Sequence, residues 1–456
     1  MKSLSPAIFA VCLKKINNMS NISLSPRTKT ISASLDLPGS KSIANRVLLL
    51  AAVAHGTSII HNVPDVSEDV VLMLEALKHL GVKITKLLTQ SNASSVSSYE
   101  IEGCGGELPV KDATIFCGNS GTSIRFLLAT LALMPGSYIL TGIERMKERP
   151  IKDLVLALNQ VGAKIDYMEN QGYPPLQTHP FKAGKASSIN LSGQMSSQYL
   201  TGLLMALPLL QRDISVHIYD ELISKPYVDI TVALLAKFGC KIENHGNDYY
   251  IKADSKLIGI EYTIEPDASS ASYFLAMGAL NGSITVNNLS KNSLQGDKNF
   301  AVVLQQMGAK VEYQTNAITV SQYGRLKAID VDMQAMPDVA MTIAVLSLFA
   351  DGTTNISGIS SWKVKETDRL QAMYNELIKL GAVVIMKNDS ITITPPESDK
   401  IKHNVAIDTY NDHRMAMCFS LVAVAGVPVT INDYQCVGKT FANYFEVFNS
   451  ICYETR

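Results

Sequence analysis

The sequence predicts an α/β protein made of six repeated units, with apolar helices inside and strands outside. Three observations predict it. The first is an amphipathic helix that ends in glycine and runs straight into a β-type segment. It reads Leu74-Glu75-Ala76-Leu77-Lys78-His79-Leu80-Gly81-Val82-Lys83-Ile84 and returns around Gly162, Gly239, Gly308 and Gly381. Glycine after a last helical turn takes the left-handed cap conformation, and the Val/Ile run beyond it starts a strand. The second is a helix apolar on all sides, then a turn and a strand of alternating polarity, seen at 48–62, 127–142, 202–218, 271–288, 341–358 and 415–433. Helices of this kind belong in the interior, with the amphipathic ones outside them. The third is size: 456 residues exceed one ordinary core, and a period of about 70–80 residues is too long for a solenoid.

Six units divide into two halves of three. Turn residues at Glu265-Pro266-Asp267 mark a crossing, so the first domain spans 40–265 and the second takes 266–456. The strand before Pro38 joins the second domain as 24–39. Residues 1–35 contain no Asp or Glu, five cations (Lys2, Lys14, Lys15, Arg27 and Lys29) and a short apolar run from Ala7 to Leu13. Residues 1–23 read as a disordered extension, with translation from Met19 or a transit peptide as alternatives.

Apolar residues make up 47% of the chain and charged residues only 18%, with a formal net charge of −1. This excludes global disorder and lacks the basic excess of a nucleic-acid binder. Any anion site must be a local cluster of cations. The seven cysteines have no C-x-x-C spacing and read as reduced thiols; the eight histidines have no zinc spacing. The longest apolar runs, such as Met341 to Ala350, fall short of the about 20 residues that cross a bilayer.

Short polar motifs open the apolar helices. Pro38-Gly39-Ser40-Lys41-Ser42-Ile43-Ala44-Asn45-Arg46 leaves N–H groups free at a helix start, where an anion is stabilised; it reads equally as a capped helix with solvated cations. Gly118-Asn119-Ser120-Gly121-Thr122-Ser123-Ile124-Arg125 repeats the design, with Arg125 able to clamp an oxyanion or simply to face solvent. Arg145-Met146-Lys147-Glu148-Arg149-Pro150, Ser196-Ser197-Gln198 and Ser224-Lys225-Pro226-Tyr227 are ordinary loops or caps when taken singly. In Trp362-Lys363-Val364-Lys365-Glu366-Thr367-Asp368-Arg369, the spacing places Lys365 and Arg369 on one helical face. Glu366 between them is held ionised, as a base requires, or merely pairs with its neighbours. Asp338 precedes a buried helix and reads as a cap or as a site group; Asp412 or Asn411 reads as the N-cap of the last apolar helix, His413 reads as structural, and Lys439 adds a final cation. Together Lys41, Arg46, Arg125, Arg149, Lys365, Arg369, Arg414 and Lys439 sit at or near helix mouths. If those mouths share a cleft, it suits substrates carrying phosphate and carboxylate together.

Ten blocks in order, PGSKSIANR, GNSGTSIR, RMKERPI, YPPL, SSQYLTGLLMALPL, SKPYVDIT, DASSASYFLA, VKETDRL, TYNDHRMAM and GKTF, resemble the signature blocks of the 3-phosphoshikimate 1-carboxyvinyltransferase (EPSP synthase) family, from about Leu24 to Ile451. The resemblance implies the enolpyruvate transferase fold, a two-domain inside-out α/β barrel of six βαβαββ-type repeats with the site in the interdomain cleft. It implies transfer of the 1-carboxyvinyl group of phosphoenolpyruvate to the 5-OH of shikimate 3-phosphate by addition and elimination, with phosphate released and neither metal nor organic cofactor. It implies Asp338, Glu366 and Lys41 as catalytic groups. Shikimate 3-phosphate would be held by Lys41, Ser42, Arg46, Ser196, Ser197, Gln198, Ser224, Tyr227, Asp338, Ser361 and Lys365. Phosphoenolpyruvate would be held by Lys41, Asn119, Gly121, Arg125, Arg149, Gln198, Arg369, Arg414 and Lys439. The expected partners are these two small molecules, with no nucleic acid or membrane. The chain is expected to be a monomer and cytoplasmic, or plastid-located if the extension is a transit peptide. Ser361 stands where many members have Asn, Phe126 where many have Pro, and Ala44 where many have Ser. The nearest rival, the UDP-N-acetylglucosamine 1-carboxyvinyltransferase family, carries a loop cysteine near 140–150, where this chain has RMKERP instead. A rival of another class is a non-catalytic scaffold that binds anionic partners.

Overall fold

A computed structural model describes residues 20–87 and 97–453 as a mixed α/β protein. The expected extension lies outside the described residues as far as residue 19. Its boundary at 23 needs correcting: Ile22–Leu24 is a strand paired antiparallel with Val429–Ile431, and Leu24 is buried. The alternation Ile-Ser-Leu is enough to put one side chain into the core, so Ile22 and Ser23 belong to the fold.

Six helices are almost wholly buried: Lys41–Val53, Gly121–Leu131, Ser197–Ala206, Ala268–Leu280, Ala340–Leu346 and His413–Val424. These are the all-round apolar segments of the sequence. Outside them lie Glu68–His79, Lys152–Gln160, Lys225–Lys237, Phe300–Gln306, Arg369–Lys379 and Tyr444–Cys452. The first five of these end at the repeating glycines. Gly81, Gly162, Gly239, Gly308 and Gly381 all have φ between +87° and +104°. In each case the next residue's N–H bonds back across the final turn, as from Val82 to the Leu77 carbonyl and from Cys240 to that of Leu235. This is the Schellman closure that only a left-handed residue permits at low cost.

Five four-stranded sheets repeat one pattern: a parallel pair followed by two antiparallel pairings. The remaining unit pairs Val405–Ile407 parallel with Val429–Ile431, and Ile22–Leu24 completes it. Two more strands reach over to partners far away in sequence. Ile31–Leu35 lies parallel to Gly282–Asn287, and Glu261–Thr263 parallel to Thr57–Val63.

There are two hydrophobic cores. One draws on residues 43–264 and the other on 24–37 and 268–452. The chain passes between them at two neighbouring points, where Ser40 N–H donates to Glu265 O (2.8 Å) and Asp267 N–H to Pro38 O (3.0 Å). Gly39 lies in this seam; a Cβ there would stand 2.1 Å from Asn62 O, so no larger residue fits without moving backbone. Trp362 is fully buried in the second core and donates Nε1–H to Pro337 O at 2.7 Å. That bond ties the turn Ser360–Val364 to the segment just before Asp338. The six cysteines among the described residues are free thiols. Among those residues no helix is long and apolar enough to cross a membrane.

Candidate active site

The N-terminal ends of five of the six buried helices face one cleft between the two cores, the exception being Ala268–Leu280. From the first core's side it is lined by Lys41, Ser42, Arg46, Gly121, Thr122, Arg125, Arg149, Met195, Ser196, Ser197, Gln198, Ile223, Ser224 and Tyr227. From the other side come Asp338, Ser361, Val364, Lys365, Glu366, Arg369, His413 and Arg414. Caps place several of them. Ser120 accepts from Ser123 N–H, Ser196 from Gln198 N–H and Asp412 from Arg414 N–H, so each motif is a helix start and a wall of the cleft at once.

On the first core's side, Arg125 donates to Gln198 Oε1 (2.6 Å) and lies over the Tyr199 ring. Arg149 bonds both the carbonyl and the side-chain oxygen of Asn119 (2.8 and 3.2 Å), and its Nε is left without a partner. Gly121 makes room for it: a Cβ there would fall 2.5 Å from Arg149 Nη2. Asn119 therefore sits behind Arg149, not on the cleft wall. Arg46 has all three guanidinium nitrogens engaged, with Thr231 Oγ1, Ser42 O and Tyr227 O, and its face covers Phe126. Burial pushes Arg46 and Arg149 down to about 10, which leaves both cationic at neutral pH.

On the second core's side, Asp338 is the hub. It does not cap the helix that follows it, whose N-cap is Val339. Its carboxylate instead meets Arg369 (3.0 Å), Arg414 (2.9 Å) and Lys365 (3.3 Å). Burial raises its pKa, but Arg414, Lys365 and Arg369 outweigh that and hold it well below the usual carboxylate range. Glu366 pairs with Arg369 Nη2 at 2.8 Å. Burial also pushes this carboxyl up, and Arg369, Lys439 and Arg149 pull it well below. Arg369 itself bridges Asp338, Glu366 and Asp412. The expected single helical face for Lys365 and Arg369 is wrong. The helix starts at Arg369, behind the cap Asp368, and residues 365–367 form a bend. The two cations meet through Asp338 instead. His413 is buried, and neither ring nitrogen makes a hydrogen bond; burial and then Arg414 push it well below its ordinary value, so the ring is neutral.

Several contacts join the sides. Lys439, from the second core's side, sits behind the cleft and donates to Asp69 Oδ1 (2.8 Å) and Asn119 O (3.0 Å), with Glu366 Oε1 at 3.9 Å. Asp69 also holds Lys41 at 2.9 Å. Tyr227 donates its hydroxyl to the buried carboxyl of Asp297 (3.1 and 3.2 Å), which Ser269 also bonds. Arg145 reaches the carbonyls of Lys365 and Glu366.

Asp69, Asp297, Thr122, Met195, Ile223 and Val364 were not singled out in the sequence. Asp69 stands in the first turn of a helix after Ser67, where an acid reads as a dipole partner. Nothing in one chain's sequence tells that Lys41 and Lys439 both arrive there.

Asp297 yields a measurable prediction. Burial first, and then the Asp338 charge, push its carboxyl up to about 6; Ser269 and Arg414 oppose this and Asp267 adds to it. A folded value above the unfolded one contributes stability that is complete at acid pH and lost as pH rises through about 6. Asp297→Asn removes this dependence. The stability of the variant minus that of the wild type should therefore grow by about 2–3 kcal/mol from pH 4 to pH 8. Denaturant midpoints at both pH values test it, and a difference that does not change with pH would sink the assignment.

A family model described as EPSP synthase (3-phosphoshikimate 1-carboxyvinyltransferase) matches residues 26–448. The 3-phosphoshikimate 1-carboxyvinyltransferase of Paraburkholderia phymatum is 48% identical over 444 residues, covering 94% of this chain and 99% of that protein. That of Shewanella pealeana is 47% identical over 441 residues, covering 95% and 100%. Among solved structures, EPSP synthase from Acinetobacter baumannii is similar with a TM-score of 0.77 and 26% identity, over 95% of this chain and 98% of that one.

Proposed function

The chain belongs to the EPSP synthase family, and from that premise we propose how its cleft carries out the family's reaction. The 1-carboxyvinyl group passes from phosphoenolpyruvate to the 5-hydroxyl of shikimate 3-phosphate, and phosphate leaves; this step belongs to the shikimate pathway of aromatic amino-acid biosynthesis. The observation that carries the reading of the site is the convergence of Lys41, Arg125 and Arg149 with Lys365, Arg369 and Arg414 on one cleft between two cores. Two polyanions need such a cluster, because their mutual repulsion must be cancelled before O5 and C2 can approach.

Lys41, Ser42, Arg46, Ser196, Ser197, Gln198, Ser224, Tyr227, Ser361 and Lys365 hold shikimate 3-phosphate. Ser361 Oγ is buried without a partner, which supports its turning to the substrate. Arg149, Arg369, Arg414, Arg125, Gln198, Lys41 and Gly121 hold phosphoenolpyruvate, and Asn119 and Lys439 support them from behind the cleft wall. In the addition step, Asp338 takes the 5-OH proton as the O5–C2 bond forms, and Lys41 delivers a proton to the methylene carbon. In the elimination step, ionised Glu366 removes a proton from that carbon while the C–O bond to phosphate breaks. The depressed Glu366 carboxyl favours this division: a group held ionised at neutral pH has room for a proton and none to deliver.

The two cores and their paired crossings support two domains, 40–265 and 24–39 plus 266–456, each an inside-out barrel of three repeats, that close on the substrates. The relatives are bacterial, which supports a cytoplasmic over a plastid location. The decisive experiment offers the purified protein phosphoenolpyruvate with each of two acceptors. Phosphate release is expected with shikimate 3-phosphate and not with UDP-N-acetylglucosamine; the reverse pattern would overturn the reading.

A further inference from the structure

Lys365 and Glu366 stand on the bend 365–367, between the turn Ser360–Val364 and the helix Arg369–Lys379. Backbone outside a helix or ladder leaves carbonyls that need donors from elsewhere. Here two successive carbonyls find them on one side chain. Arg145 places Nη2 at 3.2 Å from Lys365 O and Nε at 3.3 Å from Glu366 O. Its remaining nitrogen, Nη1, is tethered by Glu148 at 2.7 Å. A guanidinium is a planar fork with fixed donor directions, so gripping two carbonyls in a row sets the orientation of the bend as well as its distance.

The grip crosses between the two sides of the cleft. Arg145 lies on the short turn Glu144–Glu148, just before Arg149 and on the first core's side; the bend belongs to the second core's side. Within its own side, Glu366 is anchored through its carboxylate, to Arg369 Nη2 at 2.8 Å. The backbone that carries it is anchored from across the cleft. Arg145 itself is half-buried and does not line the cleft. It has no route to a substrate atom except through the bend.

We propose that Arg145 is a positioning residue that acts through the backbone of Lys365 and Glu366, and that it seats the Glu366 carboxylate only when the two sides of the cleft are together. The proposal rests on the reading of Glu366 as the group that handles the methylene proton. It gives closure a direct consequence for chemistry: a parted cleft loses the fork, and the base loses its aim. A displacement of about 1 Å at such a group costs about 10²-fold in rate, so a modest swing of the bend is enough.

The test uses Arg145→Ala and Arg145→Lys in the full chain. In Arg145→Ala, kcat is expected to fall about 10²-fold, with the melting temperature within a few degrees of wild type. Arg145→Lys, which keeps the charge and can still reach a carbonyl, should recover about tenfold of that loss. With shikimate 3-phosphate bound, amide exchange in 365–368 should quicken in Arg145→Ala relative to wild type. In a Glu366→Gln background, Arg145→Ala should cost no more than about threefold further, because both changes disable the same group. A kcat in Arg145→Ala within about twofold of wild type, or losses that simply multiply in the double variant, would overturn the proposal. A wild type that releases no phosphate from the two substrates would instead overturn the reading of the reaction.

Discussion

Glu366→Gln is expected to lower turnover by about 10²–10⁴-fold without unfolding the protein. Glutamine has the same shape and can still accept from Arg369 Nη2, which lies 2.8 Å from the carboxylate. What it loses is the charge and the proton affinity. Arg369, Lys439 and Arg149 all act on that charge, and with it gone they face the substrate anions less opposed. The KM for phosphoenolpyruvate should therefore stay level or fall while kcat collapses, which separates a lost base from a lost binding contact. A second reading is isotopic. In D2O the wild type should exchange deuterium into the methylene group, and the variant should not. Lys41→Met makes the contrasting case: it removes a cation that Asp69 holds at 2.9 Å, so KM should rise as kcat falls. Turnover near wild type in both variants would remove the assigned roles.

Arg369→Met is expected to destabilise the fold by about 3–5 kcal/mol. Arg369 is 1% exposed and touches three carboxylates, Asp338 (3.0 Å), Glu366 (2.8 Å) and Asp412 (2.8 Å). Methionine fills some of the volume but leaves those acids short of a counter-charge in a site with little water. The cost lies in the uncompensated charges, not in the pairs themselves. The sign of the pH dependence follows. Asp338 and Glu366 are held below their ordinary values, so they contribute stability above those values that is lost as pH falls through the depressed ones. Without Arg369 this contribution shrinks. The deficit of the variant should be largest near pH 7 and shrink only as pH falls below about 4 toward the depressed values, read from urea midpoints at about pH 7 and pH 3. A deficit under about 1 kcal/mol at pH 7 would mean that Lys365 and Arg414 suffice for Asp338, and Lys439 and Arg149 for Glu366.

The same residues show where sequence reasoning stopped. Local rules were enough for the glycine caps, because a helix end followed by a strand leaves one left-handed position and a short list of residues that accept it. They were enough for the buried helices, because a segment with no polar face has nowhere else to go. They failed at Lys365 and Arg369. The i,i+4 spacing is correct only if the helix already covers both, and Asp368 caps it one residue before Arg369. They left Asp338 undecided between cap and site group, since both functions put an acid ahead of a helix. Only the position of Val339 as N-cap, and three cations around the carboxylate, separate the two.

By itself, then, the sequence determined the mixed α/β class, the repeating helix–glycine–strand unit, the cations at the helix mouths and, through ten ordered blocks, the family. Each of these depends on neighbours along the chain or on a pattern carried by the chain. The tertiary structure alone decided that Asp69 stands between Lys41 and Lys439, that Asp297 lies under Tyr227, and that Arg145 holds the bend of Glu366. Those pairs are separated by 28, 370, 70 and 221 residues. Over such distances no local propensity constrains which charge meets which. That is settled by how the two cores dock, which sets both the burial around Asp69, Asp297 and Glu366 and the charges that meet them.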